Sequence, residues 1–191
     1  MTKNLKEIFN KANDIFLYNS KRLIYDDVAE RTICADLQDY IKRELKKTSY
    51  RKYHVDVEYN RNCGHVKTTI NGEMKEIKIQ CDLIVHSRGE IEERDNLIAL
   101  EMKKAYQKDE EKNSDRDRLC ALTKPRHDPN TFSYDGKTFP EHVCGYGLGV
   151  YYEIDKDNKT VLIEYYKNGK KFESYEKKIE NAGKKRRLKY D

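Results

Sequence analysis

Apolar and polar positions alternate along this chain with two different periods. From residue 3 to 18, Leu5, Ile8, Phe9, Ala12, Ile15 and Phe16 recur at steps of three and four, which predicts an amphipathic helix. Tyr18 to Tyr25 reads as a short connection, and Asp26 or Asp27 can cap a second helix running to about Lys47. Its stripe is Ile33, Cys34, Leu37, Ile41 and Leu45. Tyr53 to Arg61 then switches to a period of two: Val55, Val57 and Tyr59 lie on one side, Asp56, Glu58 and Asn60 on the other. Turn signals follow from Asn62 to Gly72, and Lys75 to Gln80 leads onward. Two apolar runs, Leu83-Ile84-Val85 and Leu97-Ile98-Ala99-Leu100, enclose a polar stretch, which predicts a β-hairpin with a long charged turn. Ser114-x-x-Asp117 before Leu119 and Leu122 reads as a capping box opening a helix. Thr123 to Glu141 holds all three prolines and reads as a long loop. Gly145 to Ile154 and Val161 to Tyr166 read as strands joined by a turn at Asp155 to Asn158. Asn168-Gly169 marks another turn, and Phe172 to Ile179 fits either strand or helix. The order α-α-β-β-β-α-β-β predicts a mixed α/β fold.

The hairpin from Cys81 to Lys104 organises the rest. Folded about its midpoint, it sets Asp82 beside Met102, between Glu101 and Lys103. Residues two apart on a strand share a face, so Glu101 and Lys103 project together next to Asp82. Glu30 adds a fourth charge. It lies four residues before Cys34, seven before Leu37 and eleven before Ile41, hence on the core-facing stripe of the second helix. A carboxylate there either snorkels outward from the first turn or points under the helix toward the sheet.

Composition narrows the class. The chain has 191 residues, which suits one domain spanning 1–191 with a basic tail at 184–191. Charged residues make up 38% and hydrophobic ones 37%, a polar chain that is not disordered. Fifteen tyrosines accompany no tryptophan; phenol rings can pack a core edge or stack on bases. The net charge of +5 comes largely from the tail, either a solvated end or a phosphate contact. Five scattered cysteines without CxxC spacing predict reduced thiols and a cytoplasmic setting. Cys63-x-His65 and His142-x-Cys144 could combine into a zinc site, on spacing too loose to be specific. The opening MTKNLKEIF has no apolar signal region, and no apolar run approaches the ~20 residues that span a bilayer, so no membrane partner is expected. Glycines 145, 147 and 149 do not form a phosphate loop, because no Lys-Ser/Thr follows.

Unpaired charge beside a core is costly. A divalent metal with a water nucleophile would resolve the charges at the hairpin's end. Phosphodiester hydrolysis needs an activated water, neutralisation of the transition state and help for the leaving oxygen, and hard cations on carboxylates supply most of this. Asp82 and Glu101 are suitable ligands for Mg²⁺ or Mn²⁺, the carbonyl of Met102 could complete the shell, and Glu30 could support it. Lys103 would serve as a point charge beside phosphate, or as a base if its pKa falls. Arg61, ending the polar-faced strand, could contact phosphate, with Asn60 and Lys104 beside it as further nucleic-acid contacts. His86 and Arg88 are too far along the strand from Asp82 to join the same shell and read as surface groups.

The set resembles the PD-(D/E)XK nuclease superfamily, with its restriction-endonuclease-like fold. Asp82 matches the first-strand aspartate, Glu101-Met102-Lys103 matches the (D/E)XK signature, and Glu30 matches the glutamate of the first core helix. ERTICADLQDYI, VDVEYNR, CDLIVHSRG and NLIALEMKKA look like small stand-alone members, over roughly residues 26 to 154. Cys81 stands where proline is usual. The resemblance implies Mg²⁺- or Mn²⁺-dependent cleavage of nucleic acid, most often DNA, and a homodimer where both strands of a duplex are cut. The alternative is a non-catalytic nucleic-acid-binding or interaction module on the same fold.

Overall fold

A computed structural model describes residues 2–59, 61–62, 65–66, 68–70, 76–78, 81–125 and 144–179. Helix α1 spans Thr2–Tyr25, longer than the 3–18 expected. Its buried stripe continues past Phe16 to Ile24, eight residues on, so the segment read as a connection is two more turns of helix. The chain then turns at Asp27, which takes a positive φ of 53°. Helix α2 is Glu30–Lys46, with Ile33, Cys34, Leu37, Ile41 and Leu45 buried as the stripe predicts. Its N-cap is Ala29, which makes no side-chain cap bond. Of the two expected caps, Asp26 lies 3.4 Å from Arg22, and Asp27 binds Lys104 at 2.6 Å and Lys156 at 2.7 Å.

Strand β1 (His54–Val57) is shorter than Tyr53 to Arg61, because Glu58 turns the backbone with φ 51°. Two short ladders follow, β2 (Arg61–Asn62) with β3 (His65–Val66) and β4 (Thr68–Ile70) with β5 (Glu76–Lys78). Then come β6 (Leu83–His86), β7 (Asn96–Lys104), helix α3 (Asp109–Leu122), β8 (Leu148–Asp155), β9 (Thr160–Lys167) and β10 (Lys170–Lys178). The undecided segment after Asn168-Gly169 is thus a strand. The turn before β9 forms as expected, with the Asn158 amide donating to Asp155 Oδ1 at 2.8 Å.

One six-stranded mixed sheet runs in the order β1-β6-β7-β8-β9-β10. β7 and β8 are parallel, and the other neighbours are antiparallel. A parallel pair needs a crossover, and the described part of that crossover is α3. The period of two in β7 separates two cores. Ile98, Leu100 and Met102 pack with α1 and α2, whereas Ala99 packs with Leu119 and Leu122 of α3. The fold is therefore α/β, a mixed sheet with helices on both faces.

Helix α3 begins at Asp109, with Asp109, Glu110 and Glu111 in its first turn, so Ser114 and Asp117 lie inside it and form no capping box. The acids already favour that N-terminus. The zinc pairing through Cys63, His65 and His142, the loop residues Arg126, His127, Pro129 and Pro140, and the tail 184–191 fall outside the described residues or side chains. No described helix is long and apolar enough to cross a membrane.

Candidate active site

The hairpin forms with a shifted register. Leu83 faces Leu100, Ile84 faces Ala99 and Val85 faces Ile98, but His86 faces Asn96 across a bulge that absorbs Leu97. Without the bulge the His86–Asn96 pairing would set Asp82 opposite Leu100; the extra residue moves it on by one, so continuing the ladder sets Asp82 opposite Glu101, one short of the expected Met102. The chain bends at Asp82, and its side chain still finds Met102. Asp82 Oδ2 accepts the Met102 amide at 2.7 Å.

Contacts radiate from the end of β7. Glu101 is 1% exposed and accepts from Arg118 of α3 at 2.7 Å. The same Arg118 nitrogen lies 3.0 Å from Asp115 Oδ1, one helical turn earlier. Asp115 Oδ2 is 2.9 Å from the Lys103 ammonium. Lys103 Nζ is 3.8 Å from Glu30 Oε2 and 3.3 Å from the Met102 carbonyl. Glu30 Oε1 accepts the Lys104 amide at 3.1 Å, so this glutamate does point under its helix at the sheet. Glu30, Lys103, Asp115, Arg118 and Glu101 thus form one continuous chain of contacts. Asp82 joins it through the backbone of Met102.

Burial shapes the electrostatics. Desolvation raises Asp82 from 3.8 to about 6, against the Met102 amide and the Lys103 charge, which pull it down. Desolvation also lifts Glu101 from 4.5 to about 8, only partly offset by Arg118. Glu30 moves up for the same reason. Burial would lower Lys103, but Asp115, Glu30 and Asp82 outweigh it and the ammonium is held above its usual value. Lys103 therefore stays charged, a compact cation rather than a base.

Asp115 and Arg118 escaped the sequence reading. Their charge hid them, although Asp115, Arg118, Leu119 and Leu122 follow helical spacing toward the sheet. Lys104 moves the other way. It is 4% exposed, and its ammonium holds Asp27 at 2.6 Å and the Val28 carbonyl at 2.7 Å. It ties the α1–α2 turn to β7 instead of facing a nucleic acid. Asn60 and the Arg61 side chain lie outside the described residues. Asp56, on the polar side of β1, accepts from His86 at 2.9 Å and from Arg88 at 2.6 and 2.9 Å. His86 and Arg88 therefore close on β1 rather than lying free at the surface.

Within the contact chain, four carboxylates (Glu30, Asp82, Glu101, Asp115) meet two cations (Lys103, Arg118). Carboxylate and carbonyl oxygens are the kind of donor that suits Mg²⁺ or Mn²⁺. As the side chains stand, no group of three or more histidine, cysteine, aspartate or glutamate among the described residues could hold a metal ion. The acids sit on protein donors instead. No protein-family model, no curated protein and no solved structure matches this chain.

Proposed function

We propose that the chain is a metal-dependent nuclease with a restriction-endonuclease-like core, hydrolysing phosphodiester bonds of nucleic acid, with DNA as its substrate. The observation that carries this reading is that Glu30 of α2 and Asp82 before β6, distant in sequence, both bond to the Met102–Lys104 stretch at the end of β7, next to Glu101 in the chain. The element order α2-β1-β6-β7-α3-β8 supports it, because it matches the α-β-β-β-α-β core of the resemblance. Asp82, Glu101 and the carbonyl of Met102 would hold Mg²⁺ or Mn²⁺, with Glu30 in support. Such an ion neutralises developing phosphate charge and acidifies bound water. Lys103, kept protonated by three acids, offers its ammonium to the scissile phosphate. Glu30, placed beside Lys103, fixes that ammonium and can orient a water. Asp82, anchored on the Met102 amide, sets its carboxylate before any ligand arrives. The four described cysteines carry no disulfide, in keeping with a reducing cytoplasm. Cutting both strands of a duplex would call for a homodimer.

A second reading, a non-cleaving nucleic-acid-binding or interaction module, is favoured by one observation: Glu101 is bonded to Arg118 rather than gathered with other acids. Purified protein incubated with plasmid and oligonucleotides separates the two. Mg²⁺- or Mn²⁺-dependent cleavage is expected from the wild type, with a loss of ~100-fold or more in Asp82→Ala and Lys103→Ala. Full cleavage by both variants, or none by the wild type with either metal, rejects the nuclease.

A further inference from the structure

Arg118 has no part in the chemistry described so far, yet it makes the most telling contact in the cluster. Glu101 is buried, and a buried carboxylate without a counter-charge is strongly unfavourable. Among the described residues, Arg118 is the one cation bonded to it, at 2.7 Å. Arg118 is not locked there. Its side chain is 20% exposed, and the same nitrogen also lies 3.0 Å from Asp115. It can release Glu101 and still keep a partner and access to water. Asp115 completes the device, because its other oxygen lies 2.9 Å from Lys103. One helical aspartate thus holds both cations that face the hairpin's acids.

We propose that Arg118 is a built-in stand-in for the metal: its guanidinium and the divalent cation compete for the Glu101 carboxylate, with Asp115 holding Arg118 once it is displaced. This rests on the metal-site reading above, but not on cleavage. In the absence of cation, Arg118 keeps Glu101 compensated and the fold intact. When a cation binds Glu101, Arg118 keeps Asp115 alone, and Lys103 shares that aspartate with it. Arg118 is therefore a positioning residue that sets how tightly the site takes its ion, and it does not touch substrate.

The test uses Mn²⁺ alone, without nucleic acid, on the full chain. Mn²⁺ affinity is read by calorimetry and by the free-ion electron-spin signal, and thermal midpoints are taken in EDTA and in saturating Mn²⁺. Removing the competitor in Arg118→Met should tighten Mn²⁺ binding about tenfold and enlarge the midpoint gain caused by Mn²⁺. Glu101→Gln added to Arg118→Met should abolish both. Should Arg118→Met not fold in EDTA, Arg118→Lys serves, because a shorter single ammonium loosens the contact; a gain of about threefold is expected. Unchanged or weaker Mn²⁺ binding in these variants overturns the proposal, as does a gain that survives Glu101→Gln. The two claims fail separately. If affinity follows Arg118 and Glu101 while no variant cleaves nucleic acid, the nuclease reading falls and the competition stands. If metal-dependent cleavage occurs while affinity ignores Arg118, the competition alone falls.

Discussion

The two faces of the central sheet are built from different materials. Under α1 and α2 the sheet presents Leu83, Val85, Ile98, Leu100, Met102, Val150, Tyr152, Ile154, Ile163 and Tyr165, an apolar surface closed by Phe9, Phe16, Ile33 and Leu37. Under α3 it presents Glu101 and Lys103 of β7, Glu153 of β8 and Glu164 of β9. These are met by Lys112 at 3.3 Å from Glu153, Arg116 at 2.9 Å from Glu164, and Arg118 at 2.7 Å from Glu101. Only a smaller apolar patch, with Ile84, Ala99, Leu119, Leu122, Tyr151 and Tyr166, backs this charged seam. Arg116 also stacks its guanidinium 4.0 Å from the Tyr151 ring. Apolar burial is non-directional and stabilises strongly, whereas buried ion pairs contribute little net stability against their desolvation. One face therefore carries the fold, and the other holds charge at fixed positions beside the hairpin's end.

The largest effect should come from the first face. Phe9 is fully buried and meets Tyr152 and Tyr165 edge-on, with ring centroids 6.3 and 6.1 Å away. Phe9→Ala should lower the free energy of unfolding by about 3–5 kcal/mol, read from urea melts. An equal loss from truncating Leu122, smaller and set in the lesser cluster, would break the contrast between the faces.

The same contrast explains what could be read from the chain. The apolar face was legible, because the α2 stripe and the hairpin's alternation are patterns of apolar spacing. Asp82, Glu101 and Lys103 were legible because they interrupt such a pattern. Asp115 and Arg118 were not. Helix α3 meets the sheet largely through Lys112, Asp115, Arg116 and Arg118, and charge on a helix normally signals solvent. The register was also misjudged by one residue, because an unbroken apolar run does not say where its partner strand begins to pair, and the bulge at Leu97 leaves no mark in it either. The last turns of α1 were hidden in polar residues, with Ile24 the sole distant repeat of the stripe.

pH should act on one face and spare the other. Glu101 is raised from 4.5 to about 8 and Asp82 from 3.8 to about 6, so the folded chain holds protons that the unfolded chain has released. Between those values the folded state binds more protons, and stability falls as pH rises. Asp56 and Glu164 are lowered, by pairing with Arg88 and His86 and with Tyr166 and Arg116 against the opposing effect of burial; their contribution is lost only as pH falls below the ordinary carboxylate range. The tyrosines of the apolar face are raised far above neutrality and do not titrate between. In EDTA, unfolding free energy should decline from pH 5 to pH 9 by several kcal/mol, most of it between pH 5 and pH 8. Glu101→Gln should flatten most of that slope. A slope unaffected by this change would place the pH sensitivity elsewhere and remove the charged face's distinguishing behaviour.

The smallest effect tests a polar intrusion into the apolar face. Asn13 is fully buried in α1, and its Oδ1 accepts from the Tyr152 hydroxyl at 2.8 Å. Its Nδ2 has no partner among the described residues. Tyr152→Phe removes the donor and leaves the Asn13 oxygen buried and unsatisfied, which should cost about 1–2 kcal/mol. Adding Asn13→Leu removes the stranded amide as well, and the double variant should recover most of that loss, because replacing both partners of a buried hydrogen bond by apolar groups is close to neutral. Recovery measured in urea melts would mean that this face tolerates a polar pair without depending on it. A double variant no more stable than Tyr152→Phe alone would mean that the apolar face, like the charged one, relies on a specific polar contact.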